Sequence, residues 1–330
     1  MEISEEDLVR IQEKIEKLKQ SKFKQQMLPA WRPVPSFGST MIIFGIFGLI
    51  FLTLGITLYV MSERIQGVVE QYDMCDINDK TPCEISIKID SDIQAPIYVY
   101  YQLDNFYQNH RRYVKSRSND QLMGNFLSLE ELDDCDPIKS NSDLGRLNSV
   151  DGSELDLSAP AFPCGLVAKS FFNDTFTLEE KESGKEIVID STNIAWESDV
   201  KYKFKNLDRA DWKKVQWKSV EDPHFIVWMR TAGLPNFRKL WGEISEDLKK
   251  GEYNLSITNT YDVSSFAGSK YFVLSTTNLL GGTNYFLAVC YIIVGALCIM
   301  FGIIFFIAYM GRKQSPNQNL QNNNSQPVRQ

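Results

Sequence analysis

The run FGSTMIIFGIFGLIFLTLGITLYVM, Phe37 to Met61, holds 25 consecutive residues without a formal charge, and YFLAVCYIIVGALCIMFGIIFFIAYM, Tyr285 to Met310, holds 26. A helix of roughly 20 apolar residues crosses the ~30 Å of bilayer hydrocarbon. Both runs read as spanning helices, because buried helices of soluble proteins rarely go this long without a charge. The first is too long, and too far from the N-terminus, for a cleaved signal peptide, whose apolar core has about 7 to 15 residues. It reads as a retained signal anchor.

Charge sets the orientation. Lys14, Lys17, Lys19, Lys22, Lys24 and Arg32 precede the first run, and Arg312 and Lys313 follow the second. The positive-inside rule therefore places both termini in the cytosol. The expected organisation is a cytosolic segment over 1–36, spans over 37–62 and 284–310, a lumenal or extracellular domain over 63–283, and a cytosolic tail over 311–330.

Disulfides persist in oxidising compartments, and four of the six cysteines fall between the spans. Cys75, Cys83, Cys135 and Cys164 allow three pairings, of which neighbour with neighbour is the simplest. Their spacing lacks the close pairs of a zinc site. Cys290 and Cys298 lie within the second span.

Ile85, Ile87 and Ile89 alternate with Ser86, Lys88 and Asp90, and Tyr253, Leu255 and Ile257 alternate with Asn254, Ser256 and Thr258. Period-two patterns of this kind are half-buried strands. Val200, Tyr202 and Phe204 among lysines read the same way. Pro235 to Ile244 reads as a helix, with Phe237, Leu240, Trp241 and Ile244 on one face. The middle region is thus expected to be mainly antiparallel β with short helices. Leu8, Ile11, Ile15 and Leu18 mark an amphipathic N-terminal helix opened by Ser4 and Asp7. The prolines in Leu28-Pro29-Ala30-Trp31-Arg32-Pro33 end it and make an extended lead-in. Asp133 to Pro160, rich in Asp, Ser, Asn, Gly and Pro, reads as a long surface loop. The tail after Lys313, dominated by Asn and Gln, reads as disordered.

Asn173-Asp174-Thr175 and Asn254-Leu255-Ser256 are glycosylation acceptor patterns on the expected lumenal side. Asn323-Asn324-Ser325 is a third, on the cytosolic side, expected to stay unmodified. No nucleophile with a base, paired carboxylates, metal set or phosphate loop shows in the spacing, so no enzyme, metal or cofactor is expected. His110 and His224 read as structural. A net charge of −7 offers no basic surface for nucleic acid. The spans lack ionisable residues, hence a transport path of their own. They do carry Gly48 and Gly55, and Gly295 and Gly302, each pair on one helix face where a neighbouring backbone can approach.

Several longer strings carry a resemblance. They are Phe23-Lys24-Gln25-Gln26 with Leu28-Pro29-Ala30-Trp31, the run from Tyr100 to Arg117, Pro163-Cys164-Gly165, Phe172-Asn173-Asp174-Thr175, Ile194-Ala195-Trp196, and Phe225 to Pro235. In these the chain resembles the β-subunits of phospholipid flippases, the cell division control protein 50 or ligand-effect modulator family, partners of type IV P-type ATPases. The resemblance implies a non-catalytic subunit that binds the ATPase as a heterodimer and escorts it from the endoplasmic reticulum. It would support movement of an aminophospholipid or related membrane lipid to the cytosolic leaflet, while the ATPase hydrolyses ATP. It implies a mostly β domain over the ATPase's lumenal loops and spans beside its membrane domain, with Gly48, Gly55, Gly295 and Gly302 as packing positions. A cytosolic segment, through Phe23, Gln25, Leu28, Pro29 and Trp31, would lie against the ATPase. It further implies the pairs Cys75–Cys83 and Cys135–Cys164, glycans on Asn173 and Asn254, and residence in the endoplasmic reticulum, the Golgi and endosomal system and the plasma membrane. Many members carry one more cysteine pair near Cys75 and Cys83 than this chain does. The rival readings are a two-pass ion channel subunit and a surface receptor.

Overall fold

The structure, a computed structural model, describes residues 5–27, 36–278 and 281–323. The chain divides into a helical unit, Met1–Thr57 with Phe286–Gln330, and a β domain, Leu58–Tyr285.

In the helical unit, α1 (Glu5–Gln20) leaves Ile11, Ile15 and Leu18 between 43% and 48% exposed. The first apolar run forms α2 (Phe37–Glu63) and the second begins α10 (Tyr285–Asn323). Two stretches, Phe37–Glu63 and Tyr285–Arg312, are long and apolar enough to cross a membrane. Thr53 and Thr57 donate their hydroxyls to Leu49 and Thr53 carbonyls, so neither leaves a free polar group in an apolar setting. The expectation of an unstructured tail from 311 is corrected over 311–323, where α10 continues. A helix already nucleated by an apolar run extends at little cost per added residue. Residues 324–330, Ser4 and the lead-in with Leu28, Pro29 and Trp31 lie outside the described residues.

The β domain holds two four-stranded antiparallel sheets. Its strands are β1 (Gly67–Gln71), β2 (Asn78–Ile89), β3 (Ile97–Leu103), β4 (Thr175–Glu180), β5 (Glu186–Ile187), β6 (Phe237–Ile244), β7 (Gly251–Asn259) and β8 (Lys270–Ser275). One sheet runs β1-β8-β3-β6 and the other β2-β7-β4-β5. Their inward rows meet in one core: Ile97, Val99, Tyr101 and Leu103 from β3, Tyr253, Leu255 and Ile257 from β7, and Ile87 and Ile89 from β2 are all buried. Phe176 of β4 reaches across to Phe272 of β8, ring centroids 5.1 Å apart. Each such aliphatic or aromatic side chain contributes roughly 1.5–3 kcal/mol of apolar burial. Short helical turns close the ends: α3 (Arg111–Lys115), α4 (Asn119–Leu122), α5 (Asn141–Leu144), α6 (Leu166–Lys169), α7 (Glu197–Tyr202), α8 (Trp212–Val215) and α9 (Pro223–Met229).

The strands expected at Ile85–Ile89 and Tyr253–Ile257 are β2 and β7. Two other expectations are corrected. Within Pro235 to Ile244 the chain forms strand β6 from Phe237 to Ile244, not a helix. Phe237 and Ile244 are seven apart, which a regular strand would turn to opposite faces. A bulge between the pairs Tyr100↔Leu240 and Val99↔Gly242 inserts one residue and buries both. The result imitates two helical turns. Val200, Tyr202 and Phe204 are not a strand: α7 takes the first two and leaves them exposed, while Phe204 is buried. Glu197 and Asp199 in the first turn suit the positive end of a helix dipole. Between Asp133 and Pro160 the chain is more than a surface loop, since it buries Ile138, Leu144 and Leu155 and forms α5 with a capping box at Ser140.

Candidate docking and modification sites

Glycine has no Cβ, so its side of a helix admits another backbone. A Cβ on Gly295 would stand 2.8 Å from the amide nitrogen of Leu52, one on Gly55 2.9 Å from that of Ile292, and one on Gly48 3.2 Å from that of Ile299. Gly302 is looser, its nearest neighbours at 3.8 Å. These four residues line the seam where α2 meets α10, flanked by Phe44 against Phe301 and Phe305, with centroids at 5.9 and 5.8 Å. The close backbone that they admit is the chain's own other span.

Of the cytosolic-segment positions that are described, Phe23 is 75% exposed and Gln25 donates its side-chain amide to the Leu18 carbonyl at 3.1 Å.

In the β domain Cys75 is bonded to Cys83, and Cys135 to Cys164, with Cα separations of 5.9 and 5.7 Å. The second bond ties the end of the 133–164 excursion to its start. Gly165 follows it with φ +94°, and a Cβ there would lie 2.1 Å from the Ser116 carbonyl oxygen. Only glycine allows that approach.

Asn173 is exposed, as a glycan acceptor requires. Asn254 is half-buried in the middle of its sheet, opposite Ser86 and Glu179 on the outward face of β7. Next to Asn173, around Asp174, sits a buried polar cluster that the sequence reading missed. Asp174 accepts from the Thr260 and Tyr261 amides at 2.7 Å, from the Tyr72 hydroxyl at 3.0 Å and from the Lys270 ammonium at 2.8 Å. Lys270 also donates to the Asn259 side chain and the Tyr261 carbonyl. Burial, then the Asp174 charge, pushes the Tyr72 hydroxyl far above the ordinary tyrosine value. This cluster joins β8 and the end of β1, from one sheet, to the start of β4 and the end of β7, from the other. Alternation along β8 hinted at an inward Lys270, but nothing local identifies the partner 96 residues away.

Several side chains of the strings that carry the resemblance meet inside the domain. Phe106 lies 5.7 Å from Trp228, 5.8 Å from Tyr113 and 5.1 Å from Phe266, ring to ring. Gln108 accepts from the Ala232 amide at 2.8 Å and Asn109 donates to the Gly233 carbonyl at 2.9 Å. Trp228 donates its indole N–H to the Val167 carbonyl at 2.7 Å, and burial pushes Tyr113 up to about 12. Lys239, itself buried, caps α9 by donating to the carbonyls of Val227, Trp228 and Arg230. His224 bonds the Trp241 carbonyl through Nε2 at 2.8 Å, whereas His110 is exposed at the start of α3. Among the described residues no group of three or more His, Cys, Asp or Glu side chains is placed to hold a metal ion.

By class, then, the chain is a two-span membrane protein whose spans flank a disulfide-bonded, two-sheet β domain. It belongs to the LEM3 (ligand-effect modulator 3) family, also called the CDC50 family, whose model matches residues 38–315. Similar proteins include ALA-interacting subunit 3 of Arabidopsis thaliana, 37% identical over 322 residues that cover 88% of this chain and 86% of that one. Cell cycle control protein 50A of Bos taurus is 34% identical, covering 89% of this chain and 90% of its own. The phospholipid-transporting ATPase accessory subunit CRF1 of Saccharomyces cerevisiae is 31% identical, covering 86% and 83%.

Proposed function

We propose that this chain is the non-catalytic accessory subunit and export chaperone of a type IV P-type ATPase phospholipid flippase. The observation that carries the reading is membership of a family, matched over residues 38–315, whose relatives are named as ALA-interacting and ATPase accessory subunits. The geometry agrees with it. The apolar runs contain no Asp, Glu, Lys, Arg or His, and Gly48, Gly55, Gly295 and Gly302, which line the seam between the two spans, are positions where the ATPase's membrane helices also pack. The spans therefore offer lipid and ions no polar route, and ATP-driven movement of an aminophospholipid or related lipid falls to the partner.

In this reading both termini are cytosolic and the β domain is lumenal or extracellular, where its two disulfides persist. Asn173 and Asn254 are the glycan acceptors, and Phe23 and Gln25, with Leu28, Pro29 and Trp31, face the ATPase's cytosolic side. The complex leaves the endoplasmic reticulum for the Golgi, endosomes or plasma membrane.

The test is an affinity pull-down of the tagged full-length chain from mild detergent, with glycosidase digestion of its sugars. A co-purifying type IV P-type ATPase, and glycans that mature only when that ATPase is co-expressed, are the expected results. A homo-oligomer that leaves the endoplasmic reticulum alone overturns the reading in favour of a channel or receptor.

A further inference from the structure

Between residues 63 and 283 the chain has 36 acidic and 25 basic residues, a net charge of −11. Two segments run against that excess, and the first, Arg111 to Arg117, holds four basic residues and no acid. From Lys201 to Lys218 there are seven lysines and arginines against Asp208 and Asp211.

Where this segment begins, a cleft of about 570 Å³ opens beside α7, lined among others by Arg117, Asn119, Lys203 and Arg230. Asp199, 2% exposed, also lines it, and accepts from Nε of Arg230 at 2.5 Å while lying 2.8 Å from the Lys203 ammonium. Hydrogen bonding to Arg230 holds the Asp199 carboxyl below its ordinary value, so it stays ionised. One carboxylate thus fixes two cations, with Arg117 as a third, and the cleft keeps a net positive charge. Among the described residues neither terminal nitrogen of Arg230 donates to any group of the chain. Its guanidinium lies 4.8 Å over the ring of Trp196, which is 65% exposed. Arg230 and Trp196 also line a second cleft of about 280 Å³. Arg117, Trp196 and Arg230 come from three of the strings that carry the family resemblance. Tyr101, Leu103, Phe225, Ile226, Trp228 and Met229 of the same strings are buried in the core, whereas these three gather at one surface. Trp and Arg are the residues most enriched where interfaces hold their binding energy.

We infer that this cleft docks an extended acidic segment of the catalytic subunit, one carboxylate pairing with Arg230 and Lys203 and an apolar neighbour resting on Trp196. The inference rests on the accessory-subunit reading. A narrow segment is favoured over a lipid surface because the site is concave. Phe204 and Met229, 6% and 2% exposed, line it together with Asp199, and a flat headgroup layer cannot reach them. Fixed cations aimed at an incoming carboxylate bring specificity and faster association, both weakened by salt.

The experiment uses the full-length chain co-expressed with a type IV P-type ATPase. Trp196→Ala with Lys203→Ala removes two exposed side chains and leaves the Asp199–Arg230 pair in place. The expected result is a loss of co-purified ATPase on the order of tenfold, equivalent to about 1.4 kcal/mol, with unchanged protease resistance of the chain. A photo-crosslinking residue at position 202, whose Tyr is 65% exposed, is expected to capture an Asp- or Glu-rich stretch of the ATPase. Undiminished co-purification of the double variant, or adducts with phospholipid instead of protein, overturns the inference while leaving the accessory role standing. Failure of the unsubstituted chain to recover any ATPase overturns both.

Discussion

The Lys270 ammonium stands 2.8 Å from the Asp174 carboxylate, with 1% and 0% of the two side chains exposed. An ion pair so deep is not itself a large source of stability, because both charges gave up water. Its asymmetry under mutation is what matters. Lys270→Met strands a buried carboxylate and is expected to cost about 3–5 kcal/mol. Asp174→Asn combined with Lys270→Met leaves no charge behind, keeps acceptors for the Thr260 and Tyr261 amides, and is expected to cost distinctly less. Denaturant unfolding of the purified chain in detergent measures both. Equal losses would show that the pairing is not what matters there.

The span seam makes a graded prediction. Gly295→Ala meets the backbone nitrogen of Leu52, which cannot move aside as a side-chain tip can, whereas Gly302→Ala meets nothing closer than 3.8 Å. The first is expected to lower the yield of folded protein and the second to leave it unchanged. Size-exclusion profiles of the two variants decide it, and identical profiles would contradict the seam.

Removing Cys135 and Cys164 together frees a loop of 29 residues' separation, removing Cys75 and Cys83 one of 8. Loop-closure entropy assigns about 3.5 and about 2.5 kcal/mol to the two. Paired Ser substitutions should therefore lower unfolding midpoints in that order. The reverse order would mean that the 135–164 excursion stays ordered in the unfolded chain.

Acid should weaken the cap of α9. Asp222 is partly buried, which opposes its charge. The His224 imidazole, its Nδ1 3.6 Å away, and the Lys218 ammonium at 2.6 Å nevertheless hold its carboxyl well below the usual carboxylate range. Its folded value lies under the unfolded one of about 3.9, so its contribution is complete above that pH and fades as pH falls below it. Stability followed from pH 6 to pH 2 should fall on the acid side less steeply in Asp222→Asn than in the unsubstituted chain. Parallel curves would remove Asp222 from the account.

What was legible in the sequence was whatever depends on neighbours along the chain. The charge-free runs became α2 and α10, and the alternations at Ile85–Ile89 and Tyr253–Ile257 became β2 and β7, because an apolar period announces which face is covered. The reading failed where one residue changes the period, as the bulge in β6 does at Leu240–Trp241, and where three alternating residues were asked to decide between α7 and a strand. It could show that the glycines pack, but not against what, since that depends on which helix lies nearest. The Asp174–Lys270 pair was out of reach for the same reason: each side chain looks ordinary until a residue far along the chain arrives.

Asp174 is also the middle residue of the acceptor tripeptide Asn173-Asp174-Thr175, with Asn173 in the open, Asp174 sealed and Thr175 paired to Thr258 in the ladder. A transferase that must bend the tripeptide into its own active site can do so only before these contacts close. If Asn173 is an acceptor, as proposed above, its sugar is added to the newborn chain before Lys270, 96 positions later, arrives and closes the site. The order of events during synthesis is written into one side chain that serves two steps in turn.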